Sequence, residues 1–303
     1  MKNNFEFVKK CEKCCIPVDY PKINFKENNG KFYCEECFNL INSDFNREEL
    51  TVKSKKIIDK IKNNGSNYDA IFAYSGGKDS TAALYSAVND YKLNLLVFNF
   101  DNGYKGEKVK QNINNVVNDL NVDFYQIKSK TSYTISDDIS KKIMPCGRCS
   151  SLRKIYPELC ERFNVKYIIT GIECVFNNEV IRDRGTYYQI NWPAALNWNK
   201  NDINKIVINT PWKDPGYNNF DSDCLAPGIA LQKIYNYENS NFDMYMGKKE
   251  QHVVPYYARL VRYGYLTKQQ FFDFINLPIK SSDEAILEYE KISKEIIKNE
   301  KVR

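Results

Sequence analysis

Two sets of residues in this 303-residue chain have the types and spacing that chemistry needs. The first is Ser75-Gly76-Gly77-Lys78-Asp79-Ser80, which ends the apolar run Ala70 to Tyr74 and leads into residues that favour helix. Adjacent glycines let backbone N–H groups approach an anion, Ser75 and Ser80 add hydroxyl donors, and the following helix points its positive end at the same spot. Lys78 adds a full positive charge. A Walker A loop places four residues between its first glycine and Gly-Lys-Ser/Thr; here the lysine follows a glycine pair and an aspartate separates it from serine, so the motif is a different phosphate cradle.

The second set is sulfur. Of ten cysteines, five lie before residue 40, in Cys11-Glu-Lys-Cys14-Cys15 and Cys34-Glu-Glu-Cys37. Two Cys-x-x-Cys knuckles with 19 residues between Cys14 and Cys34 suit a tetrahedral zinc site of Cys11, Cys14, Cys34 and Cys37. Four sulfurs leave no open position, so its role would be structural. Cys15 is spare, able to replace Cys14 or to be a buried thiol. Met144-Pro-Cys146-Gly-Arg-Cys149 sits before a helix and beside Arg148 and Arg153, a setting that favours thiolates. Cys224, in Phe220-Asp-Ser-Asp-Cys224-Leu-Ala-Pro-Gly228, is a third candidate, while Cys160 and Cys174 read as small buried thiols. His252 is the one histidine, which leaves little room for a histidine metal site or a Ser-His-Asp hydrolase.

The elements that must position these residues follow from periodicity. Ile23–Phe25 and Lys31–Tyr33 flank Asn28-Asn29-Gly30 as a short hairpin. A helix with Val52, Ile57, Ile58 and Ile61 on one face closes on Asn63-Asn64-Gly65. After the Ser-Gly-Gly loop come a helix to about Asn89, the near-continuous apolar strand Leu93 to Phe100, a helix with Val109, Ile113, Val116, Val117 and Leu120, a strand Val122 to Ile127, a helix Ser151 to Phe163, and a strand Lys166 to Gly171. This alternation predicts an α/β fold with a doubly wound, mostly parallel sheet. In such sheets ligands sit at the carboxyl ends of strands, which puts Asp101-Asn102-Gly103 and Gly171 beside the Ser75–Ser80 loop. Val207 to Trp212 reads as a last strand, and the aromatic stretch 175–220 as irregular substrate wall or packing. There Arg182, Arg184 and Lys213 either meet a phosphorylated or carboxylated substrate or stay as solvated surface. Helices are expected at Ile229–Tyr237, Pro255–Tyr263, from a Thr267–Gln270 capping box, and at Asp283–Asn299, whose stripe Ile286, Tyr289, Ile292, Ile296 would pack on the main body or on a second copy in a homodimer. The expected division is a zinc-binding knuckle at 1–43, a nucleotide domain at 44–215 and a helical C-terminal region at 216–303.

Composition sets outer bounds. A hydrophobic content of 43% is that of a globular protein, and the net charge of +6 is compatible with RNA or a phosphorylated partner but is spread along the chain. No apolar run approaches the ~20 residues of a membrane span, and the first residues lack a secretory h-region. No membrane partner and a cytoplasmic location are therefore expected.

Ser-Gly-Gly-Lys-Asp-Ser after a strand resembles the PP-loop of the ATP pyrophosphatase superfamily, the adenine nucleotide alpha hydrolase-like proteins. The resemblance is firm over residues 68–171, fair for the N-terminal knuckle and poor beyond about 176. It implies cleavage of ATP to AMP and pyrophosphate, adenylation of a substrate oxygen, and displacement of AMP by sulfur or nitrogen. Ser75, Gly76, Gly77 and Ser80 would hold the phosphates, Lys78 would meet the leaving group, Asp79 would lie near Mg²⁺ or the nucleotide, and Asp101 and Gly171 would adjoin it. Cys146, Cys149 and Cys224 together resemble the active-site trio of the tRNA 2-thiocytidine and 2-thiouridine sulfurtransferases. In that group the trio holds a [4Fe-4S] cluster with one free iron; without it, Cys146 or Cys149 could carry a persulfide that Cys224 resolves. The implied partners are ATP, a sulfur donor, and a tRNA or small-molecule acceptor. Two departures stand out: the C-terminal cysteine knuckles common in those enzymes are missing, and their frequent Gly-His-Asn is Gly171-Ile172-Glu173 here. The N-terminal Cys-x-x-Cys and Asp101-Asn-Gly also resemble the N-acetyl-sugar amidotransferases, which would insert ammonia instead but give Cys146 and Cys149 no task. A zinc-dependent nucleic-acid-binding module would leave the phosphate loop unexplained.

Overall fold

The computed structural model describes residues 9–18, 20, 23–62, 66–129, 149, 152–218, 222–229, 253–276 and 280–301. Cys146, Arg148, His252 and most of the helix expected at Ile229–Tyr237 lie outside them. The chain opens on an antiparallel hairpin, β1 (Phe25–Asn28) and β2 (Lys31–Cys34), turning at Asn29 and Gly30, whose φ values of 53° and 74° are those such a tight turn needs. Helix α1 (Glu35–Ile41) starts directly from Cys34 with Glu35 and Glu36 in its first turn, where acidic groups face the positive end of the helix. Helix α2 (Arg47–Ile61) follows, capped by Asn46 accepting from Glu48 and Glu49 N–H.

The main sheet contains β3 (Ala70–Ala73), β4 (Leu95–Asp101), β5 (Asp123–Lys128), β6 (Tyr167–Thr170), β7 (Ile181–Asp183) and β8 (Tyr188–Asn191). Their order is β5-β4-β3-β6-β8-β7, with every neighbouring pair parallel except β7 and β8. Helices α3 (Lys78–Asn89), α4 (Glu107–Leu120) and α5 (Leu152–Phe163) connect the first four strands. Side chains alternate across β3: Ala70 and Phe72 join the larger core, which also takes Val109, Ile113 and Val116 of α4, whereas Ile71 joins a second core with Phe98, Leu159 and Ile168. Two covered faces make a doubly wound sheet, as the sequence pattern predicts. From β3 the chain winds outward to β4 and β5 and then returns to β6 on the other side, so the crevice of this sheet opens between the ends of β3 and β6.

Two expectations need correction. Residues 175–220 include the strands β7 and β8, which escape periodicity because they span three and four residues and carry arginine, aspartate and glutamine. Val207–Trp212 is no strand. Asn199 and Asp202 form a reciprocal capping box that starts α7 (Lys200–Val207), after the short α6 (Trp192–Ala195), and Ile203 and Val207 are buried four residues apart while Ile208 is 78% exposed. Beyond the sheet lie α8 (Val253–Arg262), α9 (Lys268–Asn276) and α10 (Asp283–Lys301). The α9 capping box forms as expected, with Gln270 N–H donating to Thr267 Oγ1 and Thr267 N–H to Gln270 Oε1. The stripe of α10 packs on the main body: Tyr289 is buried, its ring stacked on Tyr104, and Ile292 and Ile296 lie against the larger core.

Candidate functional site: a glycine-turn cleft beside a sulfur pocket

The end of β3 is fixed from below. Asn99, fully buried in mid-strand β4, donates to Tyr74 O at 2.7 Å and accepts from Gln126, so its amide is satisfied and the strand end is pinned. Gly76 then takes φ +90°, and a Cβ there would lie 2.7 Å from Ile113, so this turn requires glycine. Gly77 caps α3. Ser75 Oγ lies 2.8 Å from Ser80 Oγ and accepts from Gly77 N–H, while Ser80 and Thr81 hydroxyls donate to Gly77 O. Across the crevice Gly171 presses on the same turn, its Cβ position only 2.4 Å from Ser80 Cα. Ser75, Gly77, Lys78, Asp79, Ser80 and Gly171 all line one cleft of about 690 Å³. Gly76 lies beneath, its carbonyl accepting from Trp212 Nε1 at 3.0 Å.

Asp79 and Glu173 both line this cleft. Burial raises the Asp79 carboxyl above its usual range, with Tyr265 donating to it at 2.8 Å. Burial, and next the charge of Asp79, push Glu173 up to about 7, and the Tyr256 hydroxyl donates to its carboxylate. Lys78, whose ammonium donates to Asn204 Oδ1 at 3.2 Å, and Lys200, held below the usual lysine range by burial and by Lys78, face the pair. Two mutually repelling carboxyls and two lysines at the end of a parallel sheet form a site for a polyanion that brings its own cation.

A second cavity of about 160 Å³ abuts the first and shares Ala73, Ser75, Tyr156 and Asp223 with it. Cys149 and Cys224 both line it. Asn102 lies between them: Tyr104 N–H donates to its Oδ1, which turns Nδ2 toward sulfur, 3.3 Å from Cys224 Sγ and 3.7 Å from Cys149 Sγ. The structure thus brings together two of the three cysteines singled out by sequence; the third, Cys146, lies outside the described residues. Cys224 arrives on a segment docked on the phosphate loop, with Lys78 N–H donating to Ser222 Oγ at 3.1 Å and Leu225 N–H to Tyr104 O. Asp101 lines neither cavity; its carboxylate accepts from Gly103 N–H and shapes the turn that presents Asn102. Sequence reasoning also passed over Lys105, which is 5% exposed and donates to Ser75 O at 2.5 Å and to Asp223 O. Its one signal was its place just after the Asp101-Asn-Gly turn. Cys160 and Cys174 are buried thiols that burial pushes up, Cys160 to about 12, as expected of small core residues.

The N-terminal cysteines converge as their spacing predicts. Cys11, Cys14, Cys34 and Cys37 are all buried and their sulfurs lie within 4.8 Å of one another. Cys14 Sγ and Cys34 Sγ are 3.7 Å apart, close to the ~3.8 Å that a tetrahedron with ~2.3 Å metal–sulfur bonds requires. Cys15 is excluded: it takes φ +65° in the knuckle turn and is buried outside the group. Arg262 at the end of α8 enters this cluster. Its guanidinium, 7% exposed, approaches Cys37 at 3.1 Å, Cys34 at 3.4 Å and Cys14 at 3.8 Å, and pairs with Glu36. One helix therefore reaches both the cysteine cluster and the cleft, because Tyr256, Tyr257 and Leu260 of α8 line the latter.

Among the described residues no helix is long and apolar enough to cross a membrane. No protein-family description matches the chain. In shape it is similar to the U34-tRNA thiolase NcsA from Methanococcus maripaludis with its [4Fe-4S] cluster, at a TM-score of 0.42 and 16% identity over 88% of each chain. It is also similar to phosphoadenylyl-sulfate reductase from Candida auris in a phosphate complex, at 0.37 and 12% identity over 58% of this chain and 94% of that one. In sequence it is 30% identical over 265 residues to the uncharacterized protein MJ1599 of Methanocaldococcus jannaschii, covering 85% of this chain and 91% of that protein. Identity of that extent across nearly the whole of both chains means that this chain belongs to the MJ1599 family.

Proposed function

We propose that this chain is an ATP-dependent sulfurtransferase that forms AMP. The observation that carries the reading is the adjacency of Cys149 and Cys224, joined by Asn102, to a cleft whose other wall is the Ser75–Ser80 loop. ATP would lie with its phosphates on the N–H groups and hydroxyls of that loop, with Lys78 neutralising the pyrophosphate. Asp79 and Glu173 would hold Mg²⁺ against the phosphates, and the ion would relieve their repulsion. An acceptor oxygen attacks the α-phosphorus and pyrophosphate departs. Hydrosulfide then attacks the activated carbon, its C–O bond breaks, and AMP leaves with the oxygen.

Soft thiols around a small cavity with an N–H donor suit an iron–sulfur cluster. Cys149, Cys224 and, by spacing, Cys146 would hold it, and with one open iron it would supply hydrosulfide; in its absence a persulfide on Cys146 or Cys149 would release hydrosulfide when the Cys224 thiolate attacks its inner sulfur, leaving a disulfide that an external thiol reductant must reopen. The four N-terminal sulfurs suit structural zinc. The test begins with radiolabelled ATP and the anaerobically purified protein, which should release AMP and pyrophosphate and be brown, with the visible absorption lost in Cys224→Ala. Release of ADP would end the AMP-forming reading. Colourless protein that holds zinc alone and consumes ammonia would replace sulfur transfer by the amidotransferase reading.

A further inference from the structure

One cluster of charge beside the cleft has no part in that chemistry. Phe176 follows the cleft-lining Glu173 by three residues, and two guanidiniums lie over its ring, Arg182 at 4.8 Å and Arg259 at 4.9 Å from the centroid. Arg184, two residues beyond Arg182, shares its face of the β7 edge, and donates twice to Gln189 Oε1, at 3.2 and 2.9 Å. Gln189 is the direct cross-strand partner of Arg182. From it a buried chain of side chains returns to the cleft: Gln189 Nε2 donates to Asn191 Oδ1 at 2.9 Å, Thr170 Oγ1 donates to the same oxygen at 3.1 Å, and Thr170 lines the cleft. Arg259 comes from α8, one turn beyond the cleft residue Tyr256.

The β7 edge and α8 therefore bring three guanidiniums together beside the cleft. Among the described residues none of the three forms an ion pair within 4 Å, and Glu179 is the carboxylate whose charge reaches Arg182. Burial and the neighbouring Arg184 and Arg259 all work against the Arg182 charge. Gathering like charges in this way is unfavourable until an anion joins them. Planar guanidiniums held on an aromatic ring are pre-organised for the two-pronged recognition of phosphate.

We propose that Arg182, Arg184 and Arg259, on the Phe176 platform, bind a phosphate group of the acceptor, so that the acceptor is a phosphorylated molecule anchored there with its reacting oxygen in the cleft. The inference rests on the reading of an adenylating enzyme with a separate acceptor. Phosphate of that kind comes from an RNA backbone or from a small phosphorylated metabolite, and two probes separate these sources: bulk tRNA and uridine diphosphate. Each is titrated against the wild-type protein and the double variant Arg182→Ala/Arg259→Ala, with ATP titrated in parallel to report on the cleft. The expected result is binding of one probe by the wild type and a loss of about tenfold or more in the variant, with a salt dependence shallower by about two phosphate contacts if the probe is tRNA. The double variant Arg182→Lys/Arg259→Lys keeps the charges and loses the forks, so it should bind between the two; it carries the test if the alanine variant does not fold. Failure of the wild type to bind either probe, or equal binding by wild type and variants, overturns the proposal. ATP cleavage to AMP is scored separately, so loss of the anchor and loss of the adenylation reading are distinguishable outcomes.

Discussion

Glu173 shows how much one side chain can say once its surroundings are known. Burial, and next the charge of Asp79, push its carboxyl from the usual 4.5 up to about 7. Between those values the unfolded chain has lost a proton that the folded one keeps, so this group lowers stability as pH rises from about 4.5 to about 7 and has no further effect outside that window. Glu173→Gln should therefore gain thermal stability over the wild type across that interval, by a few degrees at neutral pH, in melts taken from pH 4 to 8. A constant offset at every pH would mean that Glu173 ionises normally. Gly171 offers a second test at this scale. A methyl group there would meet Ser80 backbone at 2.4 Å, where neither side can yield, and Gly171→Ala should weaken ATP binding by about tenfold or more and lower the melting temperature. Unchanged calorimetric ATP binding would detach this glycine from the loop. In the sequence the phosphate-loop residues and both glycines were legible because a motif is a local object. Lys105, Tyr256 and Tyr265 were not, since their importance arises only when distant segments meet.

Elements were legible wherever a period ran long enough to be seen. Helix α4 buries Val109, Ile113, Val116 and Val117, the stripe that its sequence displays, and the fully buried β4 matches its unbroken apolar run. β7 and β8 were hidden by brevity, and α7 by a β-branched stretch whose true signal was the Asn199–Asp202 cap just upstream. Caps are thus the better guide in short, irregular segments. Helix α9 allows this to be measured: Thr267→Ala removes the hydroxyl that accepts from Gln270 N–H and should cost about 1 kcal/mol in urea unfolding. No change in midpoint would mean that tertiary packing alone holds the start of this helix. The 222–225 segment makes a related point about connections. Ser222 Oγ accepts from the first amide of α3 and Cys224 lies two residues on, so an anion that claims that amide displaces a hydroxyl from the segment that carries the thiol.

At the scale of the whole molecule, α8 comes back to the N-terminal four-cysteine knuckle. Arg262 gives the four sulfurs a buried positive neighbour, and Arg262→Ala should weaken zinc retention by about 10- to 100-fold in competition with a coloured chelator, with Arg262→Lys retaining part of it. Zinc affinity equal to the wild type would reduce the arginine to packing. Chelation of the intact protein should also loosen α8 and raise amide exchange at Tyr256, whereas exchange confined to residues before 62 would uncouple knuckle from cleft. Spacing of the cysteines made the knuckle legible; nothing in the sequence joined it to residue 262, because the link spans 225 positions. That separation has a consequence for biosynthesis. Arg262 is translated 225 positions after Cys37, so a nascent knuckle first forms without that cation beside its thiols. On the zinc reading proposed above, a copy cut short of α8 should give up its ion to a chelator more readily than the intact protein.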